Sequence, residues 1–291
     1  MSVGMQEGSR SGKIIRTYEA NGEIQGPVAS VLSASRELYW SRYVIWHLFV
    51  RDFVAGFRQK LLGYLWIVIA PVLGIISFVF MQWTGILNPG QIEIPYPIYV
   101  YIGTSIWSVM ISAVTTVAGG LIGNADLVMR TNIPKISFAI TGMANLCYNL
   151  IVNIFVLLLL LAIFRLPPSP GALLYPLAIL PIILLGVGIG LILAVVGAVA
   201  RDLTNMLVTI LNLAMYVTPV VYTAKFSHPV LQEIVRWNPL TYLVDTPRSL
   251  FMRGVIPAPA GYAFSILFTL ATLWMGLHIF YLIKDKVAER L

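Results

Sequence analysis

From Leu173 to Val199 the chain runs without one charged side chain. A run of that length is long enough for a helix to cross the hydrocarbon core of a bilayer, about 30 Å thick, which takes roughly 20 residues. Comparable runs lie at approximately 62–83, 97–122, 138–164, 173–199, 203–222 and 262–283. In lipid each backbone N–H and C=O must find its partner within the chain, so such runs fold as helices. Only 11% of the residues are charged, against about 25% in a soluble domain. The expectation is an all-α integral membrane protein with six transmembrane helices. Arg201-Asp202 divides the fourth run from the fifth, because a charged pair has to reach an interface. Pro71 and Pro181 fall inside spans, where neighbouring helices can satisfy the freed carbonyls.

Lys and Arg placement orients the spans. With the N-terminus inside, fourteen of the nineteen basic residues are cytosolic, and the first outer loop, TGILNPGQIEIPYP, has none. Both termini are therefore expected in the cytosol, on a multi-pass protein of the cytoplasmic (inner) membrane. The net charge of +7 follows from this bias and from attraction to anionic headgroups, so nucleic acid is not implied. Residues 1–33 contain no continuous apolar stretch, so no cleavable signal peptide is expected. They read as a flexible cytosolic tail. Over residues 34–60, Tyr39, Tyr43, Trp46, Val50, Phe53 and Phe57 recur at helical spacing, while Glu37, Ser41, Asp52 and Gln59 face the other way. This predicts an amphipathic helix in the inner interface. It is either a plain anchor or, through Arg58 and Lys60 at the mouth of the first span, a site for an anionic lipid-linked headgroup. The remainder, 61–291, forms the transmembrane domain.

Several kinds of chemistry are missing. The spans hold a single titratable histidine, His278, whereas ion-coupled transport and acid–base catalysis need titratable groups within the membrane. Cys147 is the lone cysteine, and no His, Cys or carboxylate cluster has metal-ligand spacing. No catalytic residue and no metal site is therefore assigned. Gly12-Lys13 lacks the rest of a phosphate-binding loop, so the chain is not expected to hydrolyse ATP itself. Gly186, Gly188 and Gly190 lie in an apolar run and read as small residues at helix contacts, not as a dinucleotide fingerprint.

Four stretches then carry a resemblance: RQKLLGYLWIVIAP with Gly63, Trp66 and Pro71; GNADLVMRTNIPK; ARDLTNML; and NPLTYLVDTPRSLFMRG. In order and spacing across residues 58–254 they resemble the permease subunits of two-component ABC-2-type polysaccharide exporters, the family that moves O-antigen, capsule and teichoic acid polymers. Asp126 stands where that family usually has Asn, Ile133 where it has Phe, and Asp245 where it has Glu. The resemblance implies a channel-forming subunit that exports a lipid-linked polysaccharide as a homodimer. It implies a cytosolic ABC ATPase in two copies as partner, which binds the ATP and Mg, with no cofactor in this chain.

By the same resemblance GNADLVMRTNIPK is a coupling helix that docks on the ATPase. The local chemistry agrees, with Asn124 suited to the N-cap, Asp126 to the first turn, Leu127 within the helix, Arg130 at its end and Pro134 to stop it. Between spans five and six, Pro229–Trp237 and a second helix opened by Asn238-Pro239 are expected, with Asp245 and Arg248 three residues apart and able to pair; the resemblance implies that the two helices form a re-entrant hairpin acting as the outer gate. Pro247 between them is expected to kink the helix. Trp83, Tyr96, Tyr99, Tyr101, Tyr216 and Tyr222 are either sugar-stacking groups lining a pore or an interfacial aromatic belt. Asn145, Asn149 and Asn153 form a stripe for interhelical hydrogen bonds or pore lining. Two other functions stay open: an ABC-2 exporter of a drug or small lipid, and a membrane-embedded glycosyl or lipid transferase.

Overall fold

Residues 27–58, 63–131, 133–224 and 228–288 are described by the computed structural model, and all the regular structure among them is helical. Helices α1 (Pro27–Trp40) and α2 (Arg42–Arg58) precede α3 (Gly63–Trp83) and α4 (Tyr96–Gly123). After the short α5 (Ala125–Arg130) come α6 (Lys135–Thr141) and α7 (Met143–Phe164), then a 3-10 turn at Pro170–Leu174 that leads into α8 (Tyr175–Val199). The chain closes with α9 (Arg201–Val217), α10 (Pro229–Trp237), α11 (Pro239–Arg253) and α12 (Pro259–Ala288).

A helix stands at each of the six predicted runs. Among the described residues four segments, Tyr96–Gly123, Lys135–Phe164, Pro170–Gly197 and Pro259–Lys284, are long and apolar enough to cross a membrane. Two further apolar helices, Ile69–Trp83 and Asp202–Val217, are shorter. The fifth run ends before residue 222 for a local reason: Thr218 precedes Pro219, whose ring disfavours helical dihedrals in the residue before it. Thr218 accordingly is extended, at φ −90° and ψ 139°. The third run is interrupted at Gly142, where a Cβ would lie 2.8 Å from the Thr116 carbonyl oxygen.

Helix α4 is the axis of the bundle. Ile98, Val100, Ile102, Ile106, Met110, Val114 and Val117 are fully buried around it, as expected of a helix apolar on all sides. α8 packs between α4 and α12, and its glycines set the approach. A Cβ at Gly186 would meet the Met110 carbonyl oxygen at 2.8 Å, one at Gly190 the Val114 carbonyl oxygen at 2.9 Å, and one at Gly188 the Leu273 Cα of α12 at 2.8 Å. The sequence reading of this run as a backbone contact is what the packing shows. The asparagine stripe also bonds between helices: Asn149 Nδ2 donates to Ser112 Oγ at 2.8 Å and Asn153 Nδ2 to Ser108 Oγ at 3.3 Å, tying α7 to α4, while Asn145 is exposed.

At one end of the bundle α1 and α2 lie across α6, α7 and the last turns of α12. The expected single amphipathic helix is two helices, parted by a turn at Ser41 and starting at Pro27 rather than residue 34. Residues 1–26 lie outside the described part. Ser30, Ala34 and Ser41 are buried inwards, while Tyr39, Trp40, Tyr43 and Trp46 are exposed. Glu37 accepts hydrogen bonds from Tyr281 Oη at 2.8 Å and Lys284 Nζ at 3.1 Å, which latches α1 to the end of α12. Arg42 stacks between the rings of Tyr39 and Tyr43, 4.4 and 4.9 Å from their centroids.

Candidate functional site

Helix α5 projects at the same end as α1 and α2. Val128 is buried and Leu127 packs beneath it, whereas Asp126, Met129 and Arg130 are exposed. The acid stands in the first turn and the base in the last, as the helix dipole favours. Two details of the sequence reading are corrected. The Asn124 side chain does not cap α5: its Nδ2 donates to the Gly120 carbonyl at 2.9 Å and its Oδ1 accepts from Arg51 at 3.2 Å, so it joins α4 to α2 instead. Nor does Pro134 end the helix. Thr131 does, turning extended and donating its hydroxyl to the Leu127 carbonyl at 2.6 Å, while Pro134 precedes the first residue of α6. Arg58 is the last residue of α2, but its side chain, like all of Lys60, lies outside the described residues.

The opposite end is organised by α11. Asn238 caps it as predicted, Oδ1 accepting from the Leu240 N–H at 3.0 Å with Pro239 at the first helical position. Its Nδ2 donates to Thr218 Oγ1 at 3.0 Å, which draws the end of α9 onto the start of α11. Further along α11, Arg248 is 3% exposed and donates to the carbonyls of Val220 at 2.9 Å and Pro219 at 3.1 Å, and to Asp245 Oδ1 at 3.1 Å. Its guanidinium lies 3.9 Å from the centroid of the Tyr99 ring. The expected pairing of Asp245 and Arg248 is therefore made, with Pro247 inside the helix. Burial with several charge-assisted partners makes it more than an ornamental surface pair.

These bonds converge on residues 218–222, which the Thr-Pro break leaves without helical partners. Tyr96 Oη donates to the Val221 carbonyl at 3.1 Å, Tyr99 Oη to the Tyr222 carbonyl at 3.0 Å, and Tyr222 Oη to the Tyr216 carbonyl at 2.8 Å. Tyr96, Tyr99 and Tyr101 thus correct the pore-lining reading: their rings are buried in this chain, and their hydroxyls hold backbone, Tyr101 that of Asn153 at 3.1 Å. Trp83 and Tyr216 remain exposed.

The sequence reading missed Gly103. A Cβ there would collide with the Val220 carbonyl oxygen and lie 3.2 Å from Arg248 Nη1, so only glycine leaves room for the clip. It missed Ser169 as well, whose N–H donates to the Phe251 carbonyl at 3.1 Å and whose hydroxyl donates to the Leu250 carbonyl at 2.8 Å, closing the end of α11. Thr218-Pro219 within an apolar run was the available signal for the first. Nothing local marks Ser169.

Helix α9 has an unusual exposed surface. Leu203, Met206, Ile210, Leu213 and Val217 form one exposed row, and Asp202, Asn205, Thr209, Asn212 and Tyr216 form another beside it. Both rows follow the alternating spacing of three and four that puts residues on one helical face. Polar groups of this kind are costly to turn towards lipid.

Residues 43–252 match the ABC-2 type transporter family. The O-antigen export system permease protein RfbA of Klebsiella pneumoniae is 25% identical over 242 residues, covering 82% of this chain and 91% of the relative. The protein of the same name from Myxococcus xanthus is 23% identical over 258 residues, covering 87% and 97%. The polysialic acid transport protein KpsM of Escherichia coli is 25% identical over 243 residues, covering 80% and 90%. With the matched segment taking in α2, the α5 projection, α9 and the Arg248 clip, the chain belongs to the ABC-2 type transporter family of multi-pass membrane proteins.

Proposed function

We propose that the chain is the channel-forming subunit of an ATP-driven exporter that moves a lipid-linked polysaccharide across the cytoplasmic membrane. The observation that carries the substrate is the likeness, over four fifths of the chain or more, to relatives named for O-antigen and polysialic acid export. In this reading the end bearing α1, α2 and α5 is cytosolic and α3 and α9 complete six spans. Exposed Asp126, Met129 and Arg130 dock on a separate ATPase, which supplies ATP and Mg, in two copies. Two copies of this chain meet along the apolar row of α9, and the neighbouring polar row faces a hydrated path between them. α10 and α11 form a re-entrant gate at the outer end, locked by Arg248. If Arg58 and Lys60 hold the anionic headgroup, alanine at both slows export more than it lowers protein abundance, and equal losses of the two would leave α2 a plain anchor.

Deleting the gene in its host tests the reading directly. Surface glycan should disappear while its lipid-linked form accumulates inside, and this chain supplied in trans should reverse both. Unchanged surface glycan in the deletion strain would refute polysaccharide export, and an accompanying rise in drug sensitivity would favour small-molecule export.

A further inference from the structure

A cavity of about 340 Å³ opens where the loop at residues 91–94, the start of α4 and the second half of α11 meet. That is near the lower bound of ordinary small-molecule sites, about 300–1,000 Å³. It suits a sugar ring and is cramped for a lipid tail. Its lining includes two carboxylates, Glu93 and Asp245, and two guanidiniums, Arg248 and Arg253, with the Ser249 hydroxyl among them. An anion entering here meets both carboxylates, and a cation meets both guanidiniums. A neutral polyol satisfies both kinds, because each hydroxyl can donate to a carboxylate and accept from a guanidinium.

The two halves of the lining differ in how firmly they are held. Arg248 is committed to Asp245 and to the carbonyls of Pro219 and Val220, and forms a fixed wall. Arg253 reaches Glu93 at 3.5 Å, with side chains 49% and 75% exposed, and donates to Ser249 Oγ at 3.1 Å. Exposed pairs of that kind are weak, so Arg253 and Glu93 can turn to incoming hydroxyls at little cost. Met252, also in the lining, offers apolar surface to the C–H face of a sugar.

We propose that this cavity is a binding subsite for a neutral hexose unit, entered from the end of the bundle that carries α11. Its role, holding a unit of the glycan as it leaves, rests on the polysaccharide-export reading; its chemistry rests on the lining alone.

The test titrates purified full-length chain in nanodiscs with mannose, galactose, glucose and N-acetylglucosamine, read by saturation-transfer NMR. At least one should bind saturably in the millimolar range, and sodium sulfate and choline chloride should not compete. Arg253→Ala should weaken binding by about tenfold or more, the loss expected for one charge-assisted hydrogen bond. Met252→Trp, which fills the cavity without touching a charge, should abolish binding with the thermal melt unchanged and slow glycan export in cells. No saturable binding of any of these sugars, or displacement by sulfate, overturns the subsite even where gene deletion has confirmed export. Hexose binding together with unaltered export in Met252→Trp would assign the cavity to free sugars and overturn its role in export. Intact surface glycan in the deletion strain would instead sink the export reading while leaving hexose binding standing.

Discussion

Arg248 makes its energetic contribution through its surroundings. A guanidinium taken out of water is costly, and here two carbonyls, a carboxylate and an aromatic face offset that cost. The partners are not equivalent. Removing Arg248 strands two backbone carbonyls and Asp245, so Arg248→Ala should destabilise the chain by about 3–5 kcal/mol. Asparagine at 245 can still accept the Arg248 hydrogen bond, and Arg248 keeps its two carbonyl partners, so Asp245→Asn should cost less, on the order of 1–2 kcal/mol. Thermal melts in detergent, with export measured alongside, check the order. A charge swap is expected to fail: aspartate at 248 would face the Pro219 and Val220 carbonyls, so Asp245→Arg with Arg248→Asp should recover little. Recovery to the wild-type melt would mean that the ion pair, rather than the grip on residues 219–220, holds this end together. Gly103→Ala provides a further check, since its methyl group would displace the Val220 carbonyl and crowd Arg248 Nη1 while leaving both members of the ion pair in place. A wild-type melt for Gly103→Ala would show that the approach there is loose.

Elements in this chain stop where backbone chemistry stops them, and the groups released at each stop take new partners. α9 ends at the Thr-Pro break after 17 residues, about 25 Å of helix at 1.5 Å per residue. The freed carbonyls become the acceptors for Tyr96, Tyr99 and Arg248. Pro219→Ala should lengthen α9 and withdraw those acceptors, impairing export. Unchanged export and melt in that variant would show that the break has no role. α5 ends at Thr131 and keeps its charged residues outside, anchored through Val128. Reversing Asp126 and Arg130 together should leave membrane insertion intact and weaken co-purification of the ATPase. Undiminished co-purification with normal export would remove α5 from the coupling role.

At the scale of the whole molecule the exposed rows of α9 ask for a partner. An apolar row beside a polar one makes a poor lipid surface but a good seam between two copies flanking water. Ile210→Cys, in a chain whose own cysteine is replaced by Cys147→Ala, should form a disulfide-linked dimer in membranes. Leu158→Cys on the exposed side of α7, in the same background, should not. Equal cross-linking at both positions, or at neither, would remove α9 as the seam. The purified chain should also hydrolyse no ATP, for lack of a phosphate-binding loop. Hydrolysis by a preparation free of any ATPase subunit would contradict the division of labour.

Hydropathy and local chemistry alone determined much: helical class, the six apolar runs, the glycine contact in α8 and the Asn238-Pro239 start of α11. Each depends on groups near one another in sequence, either the need to satisfy backbone in lipid or the preferences of caps, charges and small residues within a turn or two. The pairing of Asp245 with Arg248 was legible for the same reason, three residues being less than one turn. What Arg248 grips, why Gly103 must be glycine, and why Tyr96 and Tyr99 turn their hydroxyls to backbone carbonyls were decided only by tertiary structure. Those contacts join residues more than a hundred positions apart, or α11 to the loop after α9. An aromatic residue has the same sequence signature in a belt, a pore or a core. Which of these it occupies is settled by the backbone that folding brings against its hydroxyl, and no local preference encodes that distance.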